Sequence, residues 1–341
     1  MRKGLLLAVL AALVLAAPAR ADSLVYAQQG QIWLAYPEGT QQTQLTKDEP
    51  LYGSPSVADD GTIATVWGGG DVPTFYFRTF DRNGKMLTET ETPRANTNFF
   101  GPYWARVSPD GTKIAFDMSY EHHQDLPGCP LTPQECQNKD WVTFTAVAEV
   151  GKERGLKDIA FLKHWAEPTW IDNNRLLVSR TDGGDGMGVA TLGAAPTTAV
   201  NPWSIQPGMN FYGGEVNRQG THVALGTDNG GRITVWSLPG GVGSAPTWCF
   251  QLQEPKISFS EISWSPAGHA FAWREHDGIY TYVGGCDAKG AITKVLPYAN
   301  AYSVVWGPGE DHSWQAGPAE TVVLTVRWPS QPGWRLPLAG L

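Results

Sequence analysis

Charge is scarce in this chain: Asp, Glu, Lys and Arg together make up 17% of its 341 residues. Basic residues number 25 against 33 acids and seldom run together, so the electrostatic footprint expected for a nucleic-acid or anionic-lipid partner is missing. Long apolar runs are missing as well, with one exception at the start; no later segment approaches the roughly 18 residues that span a bilayer. No stretch beyond the first twenty residues or so carries helical periodicity long enough to read as an amphipathic helix. Cysteine occurs only four times and never as a CxxC pair, which argues against a local zinc site.

The single apolar run, Leu5 to Ala17, follows Arg2 and Lys3 and precedes Ala19-Arg20-Ala21. That order of basic, apolar and small residues predicts a secretory signal peptide over 1–21, too short for a permanent membrane anchor. No cysteine follows the run to take a lipid. The mature chain is expected to begin near Asp22, to be secreted or periplasmic, and to carry no integral membrane segment after cleavage. Losing Arg2, Lys3 and Arg20 and no acid moves its formal charge from −8 to −11. In an exported chain the even cysteine count reads as disulfides, with Cys129–Cys136 closing a short loop and Cys249–Cys286 a long one.

What is abundant is turn-forming and aromatic: 39 Gly, 25 Pro and 15 Trp, a composition suited to short strands joined by tight turns. One pattern recurs along the chain, an apolar or aromatic residue followed by a polar turn, usually ending in Gly, and then a β-rich run. It reads V-A-D-D-G from Val57, V-S-P-D-G from Val107, W-I-D-N-N from Trp170, V-N-R-Q-G from Val216, W-S-P-A-G from Trp264 and W-G-P-G-E from Trp306. The spacings are 50, 63, 46, 48 and 42 residues, the period of four-stranded propeller blades. Alternation in Thr112–Phe116 and Thr221–Leu225 marks the strand after each turn. Residues 24–46 hold three strands with no preceding turn motif, while the last motif supplies a strand with nothing after it. The strand near Val304–Trp306 is therefore expected to complete the first blade and remove the free edges. The fold class expected is all-β, a six-bladed propeller over 22–330 with a tail at 331–341. The long 63-residue interval is assigned to a loop insertion from Tyr120 to Asp140, rich in Pro and polar residues.

S-P-D-G at Ser108–Gly111, S-P-A-G at Ser265–Gly268 and Q-I-W-L…Q-L-T across Gln31–Thr46 resemble the WD40-like repeats of TolB-type propellers. The resemblance covers nearly all of the mature chain and implies the propeller fold. It does not carry a function over: the α/β domain that precedes the TolB propeller has no counterpart here, nor has the hydrolase domain of prolyl-oligopeptidase-like enzymes that share such repeats. Related propeller lyases acting on uronate oligosaccharides bind metal through histidines of different blades. By that analogy His122, His123 and His276 are weak metal candidates, against the plainer reading of solvated loop residues.

Motifs of catalysis are absent. The sequence has no G-x-S-x-G, HExxH, Walker A or G-x-G-x-x-G, and the Gly183–Gly188 cluster has the wrong spacing. No catalytic residue and no cofactor are assigned. Propeller topology brings the loops after second strands and after fourth strands to one face. The first set is acidic and Gly-rich; the second is aromatic. The ligand-binding candidates on that face are Tyr52, Tyr103, Trp104, Trp165, Tyr212 and Tyr302, with Arg106, Glu167, Glu215 and Glu261 near the channel. The competing reading makes the aromatics wedges between blades and the charges a structural network. The expected function is an exported, non-enzymatic binding or scaffold propeller recognising a protein, peptide or glycan; the alternative is a carbohydrate-active lyase or hydrolase at the channel mouth.

Overall fold

The computed structural model describes residues 22–308 apart from 49–50, 70–73, 94–98, 121–141, 154–159, 182–185, 194–199, 206–210, 228–231, 254–260, 276, 285, 287–289 and 298–300. Its described strands form six antiparallel sheets, and no helix occurs among the described residues. Each sheet is a blade, and in five of the six the strands follow chain order from the central channel outward. Blade 2 runs Tyr52–Val57, Ile63–Gly69, Thr74–Phe80, Met86–Glu91. Blade 4 runs Trp165–Trp170, Arg175–Arg180, Met187–Thr191, Val200–Trp203. Blade 5 runs Phe211–Val216, His222–Thr227, Arg232–Ser237, Thr247–Gln253, and blade 6 runs Ser263–Trp264, Ala270–Glu275, Gly278–Val283, Ala291–Pro297.

Blade 1 is the composite expected from the repeat. Asp22–Gln28 pairs antiparallel with Ala301–Pro308, placing Leu24 opposite Trp306 and Tyr26 opposite Val304, and Gln31–Ala35 and Thr43–Gln44 follow outward. Blade 3 departs from the others. Its innermost strand is split into Phe99–Phe100 and Arg106–Val107, both paired with Lys113–Tyr120, before Val142–Glu149 and Ala160–Lys163. The insertion thus falls between the second and third strands of blade 3, and residues 121–141, with Cys129 and Cys136, lie outside the described residues.

Apolar side chains bury on both faces of the blades, so the core is divided between neighbours. Six clusters fill the six gaps: Phe77 meets Ile114 and Phe116 between blades 2 and 3, and Leu24 and Tyr26 meet Ala272 and Ile279 between blades 1 and 6. The turn motif does what its chemistry dictates. In S-P-D-G the Gly111 amide donates to the Ser108 carbonyl at 2.9 Å, with Gly111 at φ 72°, a region that favours Gly. Indoles of the motif residues also tie blades together: Trp170 Nε1 donates to the Arg106 carbonyl at 2.7 Å, and Trp264 Nε1 to the Glu215 carbonyl at 2.8 Å.

Cys249 begins the outer strand of blade 5 and Cys286 follows the third strand of blade 6. They form a disulfide with Cα atoms 4.7 Å apart, the neighbouring-blade register expected from the sequence.

Candidate functional site

The channel is built from the innermost strands, and its lining follows from the turn motif. The residues just before each motif residue are Ser56, Arg106, Thr169, Glu215, Ser263 and Val305, and all six line one narrow throat of about 40 Å³. Two positions earlier stand Ser54, Trp104, Glu167, Gly213, Glu261 and Ser303. In this second layer the backbone bulges. Register shifts interrupt the inner strands of blades 2, 4 and 5 here, and Ser54, Glu167, Gly213 and Glu261 adopt φ of 47°, 54°, 58° and 74°. For the three non-glycine residues this conformation costs on the order of 1–3 kcal/mol each, of a kind that clusters at functional positions.

These polar residues bond from blade to blade. The Val107 amide donates to Ser56 Oγ at 2.9 Å, the Trp264 amide to Glu215 Oε1 at 3.3 Å, and the Trp306 amide to Ser263 Oγ at 3.1 Å. The Val304 amide donates to Glu261 Oε2 at 2.9 Å, and Gly213 N–H to Glu167 Oε2. Asp117, on the second strand of blade 3, extends the series by accepting the Glu167 amide at 3.2 Å.

Burial dominates the electrostatics of these acids. It pushes the Asp117 carboxyl up to about 7, helped by the nearby Glu167 charge and opposed by the amides of Glu167 and Trp104. Burial likewise raises Glu167, Glu215 and Glu261. Ser179 and the Gly213 amide oppose it at Glu167, Arg218 and Arg106 at Glu215, and Arg106 and Ser303 at Glu261. Arg106 is the cation of the set, 5% exposed, with its guanidinium 4.8 Å above the Trp104 ring.

The split inner strand of blade 3 gives the loop-rich face its distinctive feature. Residues 101–105 leave the sheet between its two halves, starting at a cis Gly101–Pro102 bond. The excursion is anchored by Tyr103 N–H to the Asp117 carbonyl at 3.1 Å and by Ser54 Oγ to the Tyr103 carbonyl at 2.7 Å. It leaves Tyr103 55% exposed beside Asp117, while Trp104 lies against Gly213 and Arg106.

The structure thus brings together Tyr103, Trp104, Arg106, Glu167, Glu215 and Glu261. Tyr52 is a correction to the recognition set. It is 1% exposed, packs edge-on against Phe80, and bonds through its hydroxyl to Asp48 and Arg78, so it belongs to the core between blades 1 and 2. Trp165 is half-buried against the core between blades 3 and 4, close over Gly188. Tyr212 and Tyr302 lie in inner strands, and their side chains are outside the described residues, as are His122, His123, His276 and most of the acidic Gly-rich loops. The sequence reading missed Asp117, whose signal was an acid inside the apolar run Ile114–Met118. The one His/Cys group within ligating reach among the described residues is His222 with Cys249 and Cys286, and the disulfide occupies both sulfurs.

No protein-family model matches the chain, and no curated protein matches it by sequence. Solved structures do. TolB from Acinetobacter baumannii superposes with a TM-score of 0.56 over 85% of this chain and 67% of that one, at 15% identity. The fold is that of the TolB propeller. Two enzymes lie further off: an oligogalacturonate lyase in complex with manganese (TM-score 0.48, 12% identity, 78% of this chain and 70% of that one) and the periplasmic gluconolactonase PpgL of Pseudomonas aeruginosa (0.45, 13%, 82% and 83%). The likeness to TolB is one of fold, and this TolB-like propeller owes its channel chemistry to its own residues.

Proposed function

We propose that the protein is an exported binding propeller that recognises a protein, peptide or glycan partner on its loop-rich face. The observation that carries this reading is the blade 3 excursion: an exposed Tyr103 next to a half-buried Trp104, both held by hydrogen bonds or ring packing at the channel mouth. Aromatic faces of this kind, pre-set by the scaffold, are what a ligand ring or peptide side chain stacks on at low entropic cost. The carboxylates beneath them serve the fold, since Glu167, Glu215 and Glu261 each hold an amide of the next blade. An extracytoplasmic site agrees with the Cys249–Cys286 disulfide, and no described helix is long and apolar enough to cross a membrane.

The enzymatic alternative draws on a different observation, the buried Asp117 with its carboxyl near 7 and Glu167 close by, a pairing suited to acid–base work. One experiment separates the two. The purified mature chain is screened against glycans and envelope peptides, then the Tyr103→Ala and Asp117→Asn variants are compared. Binding lost in Tyr103→Ala but kept in Asp117→Asn, with no ligand turned over, supports the binding propeller. Turnover abolished by Asp117→Asn establishes the enzyme instead.

A further inference from the structure

The seam between blades 5 and 6 gathers three side chains that neither the channel nor the loop-rich face uses. His222 opens the second strand of blade 5, Cys249 lies near the start of its outer strand, and Cys286 follows the third strand of blade 6. A ring nitrogen of His222 and the two sulfurs all lie within 4.8 Å of one another. The backbone makes this meeting possible. Pairing of Arg232–Ser237 with Thr247–Gln253 slips between Val235 and Trp236, so that Trp236 faces Trp248 and Val235 faces Phe250. Cys249 is the extra residue of that bulge, a device that re-aims a side chain, and its sulfur is carried to blade 6.

The imidazole is held in place by its own blade and the next. Thr221 Oγ1 lies 3.0 Å from Nδ1 and Asn217 Nδ2 3.5 Å from it, and the ring packs 6.1 Å from the Trp264 indole. Contacts of this kind fix the orientation of a ligating histidine. Burial lowers the His222 pKa, which favours the neutral imidazole, the form that binds metal. Cys249 is buried, whereas His222 and Cys286 are half-buried and leave the trio open to solvent. Two thiolates and an imidazole are a donor set suited to zinc. The two thiolate charges also cancel that of Zn²⁺, so the seam takes the ion without an uncompensated charge.

We infer that His222, Cys249 and Cys286 form a zinc site in the dithiol state of the protein, alternative to the disulfide, in which the ion takes over the link between blades 5 and 6. A dithiol reductant gives two electrons and two protons to the S–S bond, leaving two cysteine thiols and closing its own disulfide. Zn²⁺ then binds both sulfurs and the imidazole, the two thiol protons leave to solvent, and water fills the fourth position of the tetrahedron. The bridged protein, its sulfurs bonded to each other, has no thiolate to offer. The site lies at the end of the propeller where the motif turns stand, and it is independent of the function proposed above.

The mature chain carrying Cys129→Ser and Cys136→Ser keeps this cysteine pair alone and serves as the parent for the test. Reduced with a phosphine under nitrogen, it should bind one zinc ion per chain with Kd below about 1 μM, read by competition with a chromophoric chelator. Zinc should raise the Tm of the reduced protein and leave that of the oxidised protein unchanged. The oxidised protein should bind zinc at least about a hundredfold more weakly. Co²⁺ in place of zinc should show thiolate-to-metal charge-transfer absorption in the reduced protein only. His222→Asn should weaken zinc at least about tenfold, while its oxidised form keeps the bridge and the parent's melting curve, which separates a lost ligand from a lost fold. If that variant does not fold, Cys286→Ser at its half-buried position carries the test by losing the cobalt charge-transfer band and tight zinc binding. Zinc binding weaker than about 1 μM, equal binding by the oxidised protein, or an unchanged affinity in folded His222→Asn overturns the inference.

Discussion

The Glu261 carboxylate of blade 6 accepts the Val304 amide of blade 1 at 2.9 Å, so a buried acid takes part in closing the ring. Asp117 does the same between blades 3 and 4. Both carboxyls, with Glu167 and Glu215, are raised by burial, and the sign of the consequence is definite. In the window between the unfolded carboxyl range, about 4, and the folded value of about 7 for Asp117, the native state holds a proton the unfolded chain has released. Stability from this source is full below that window and is lost as pH rises through it. Asp110, Asp172 and Asp277 are held below their usual range and act oppositely, failing only in stronger acid. Calorimetric scans should therefore show a higher Tm near about pH 5 than near about pH 8. Asp117→Asn should flatten that difference; a Tm that rises steadily toward pH 8 contradicts the account.

The Cys249–Cys286 bridge spans a separation of 37 residues, for which chain entropy gives roughly 4 kcal/mol. Peptide mapping of the unreduced protein should join these two cysteines, and the double serine variant should melt well below the parent. Since the bridge ties the rims of blades 5 and 6, early opening should be confined to that seam, visible as faster amide exchange in 247–253 and 278–283.

Tyr52 and Tyr103 provide a contrast within one residue type. Tyr52→Ala removes a ring that is 1% exposed and should cost about 3–5 kcal/mol. Tyr103→Ala removes a ring that is 55% exposed and should change stability by less than about 0.5 kcal/mol. Urea titrations of the two variants decide which tyrosine is core and which is surface.

Trp264→Phe keeps most of the apolar volume and deletes the indole bond to the Glu215 carbonyl. A loss of about 1–2 kcal/mol is expected, and the same for Trp170→Phe at the Arg106 carbonyl. Adding the two should be nearly additive, because blades 4 and 6 share no bond through these groups.

The repeat made the fold legible: a motif every 42 to 63 residues, alternation after each turn and an unpaired strand at either end predicted the blade count and the closure of blade 1. The site was less legible for a physical reason. Tyr52 stands five residues before its motif residue Val57 and Tyr103 four before Val107, an offset of one inside strands that bulge or break, and spacing alone does not say that the first ring turns inward and the second out. The concavity where the motif turns meet, lined by Asp59, Asp172 and Arg218, was hidden for a different cause. Asp59, Asp172 and Arg218 read as ordinary turn residues 46 or more apart, and only ring closure sets them around one cavity.

Closure of blade 1 by residues at opposite ends of the fold also has a consequence for biogenesis. Asp22–Gln28 leads the folded chain and Ala301–Pro308 ends its described part, so the first strands to be made wait, with an open edge and the Leu24–Tyr26 face uncovered, until some 270 further residues have followed. Intermediate blades can stack as they emerge, but the ring locks only when the last strand arrives. A propeller built this way has its greatest need of a holding chaperone late, and a truncation of a few residues before Pro308 is expected to damage it more than the removal of a whole surface loop.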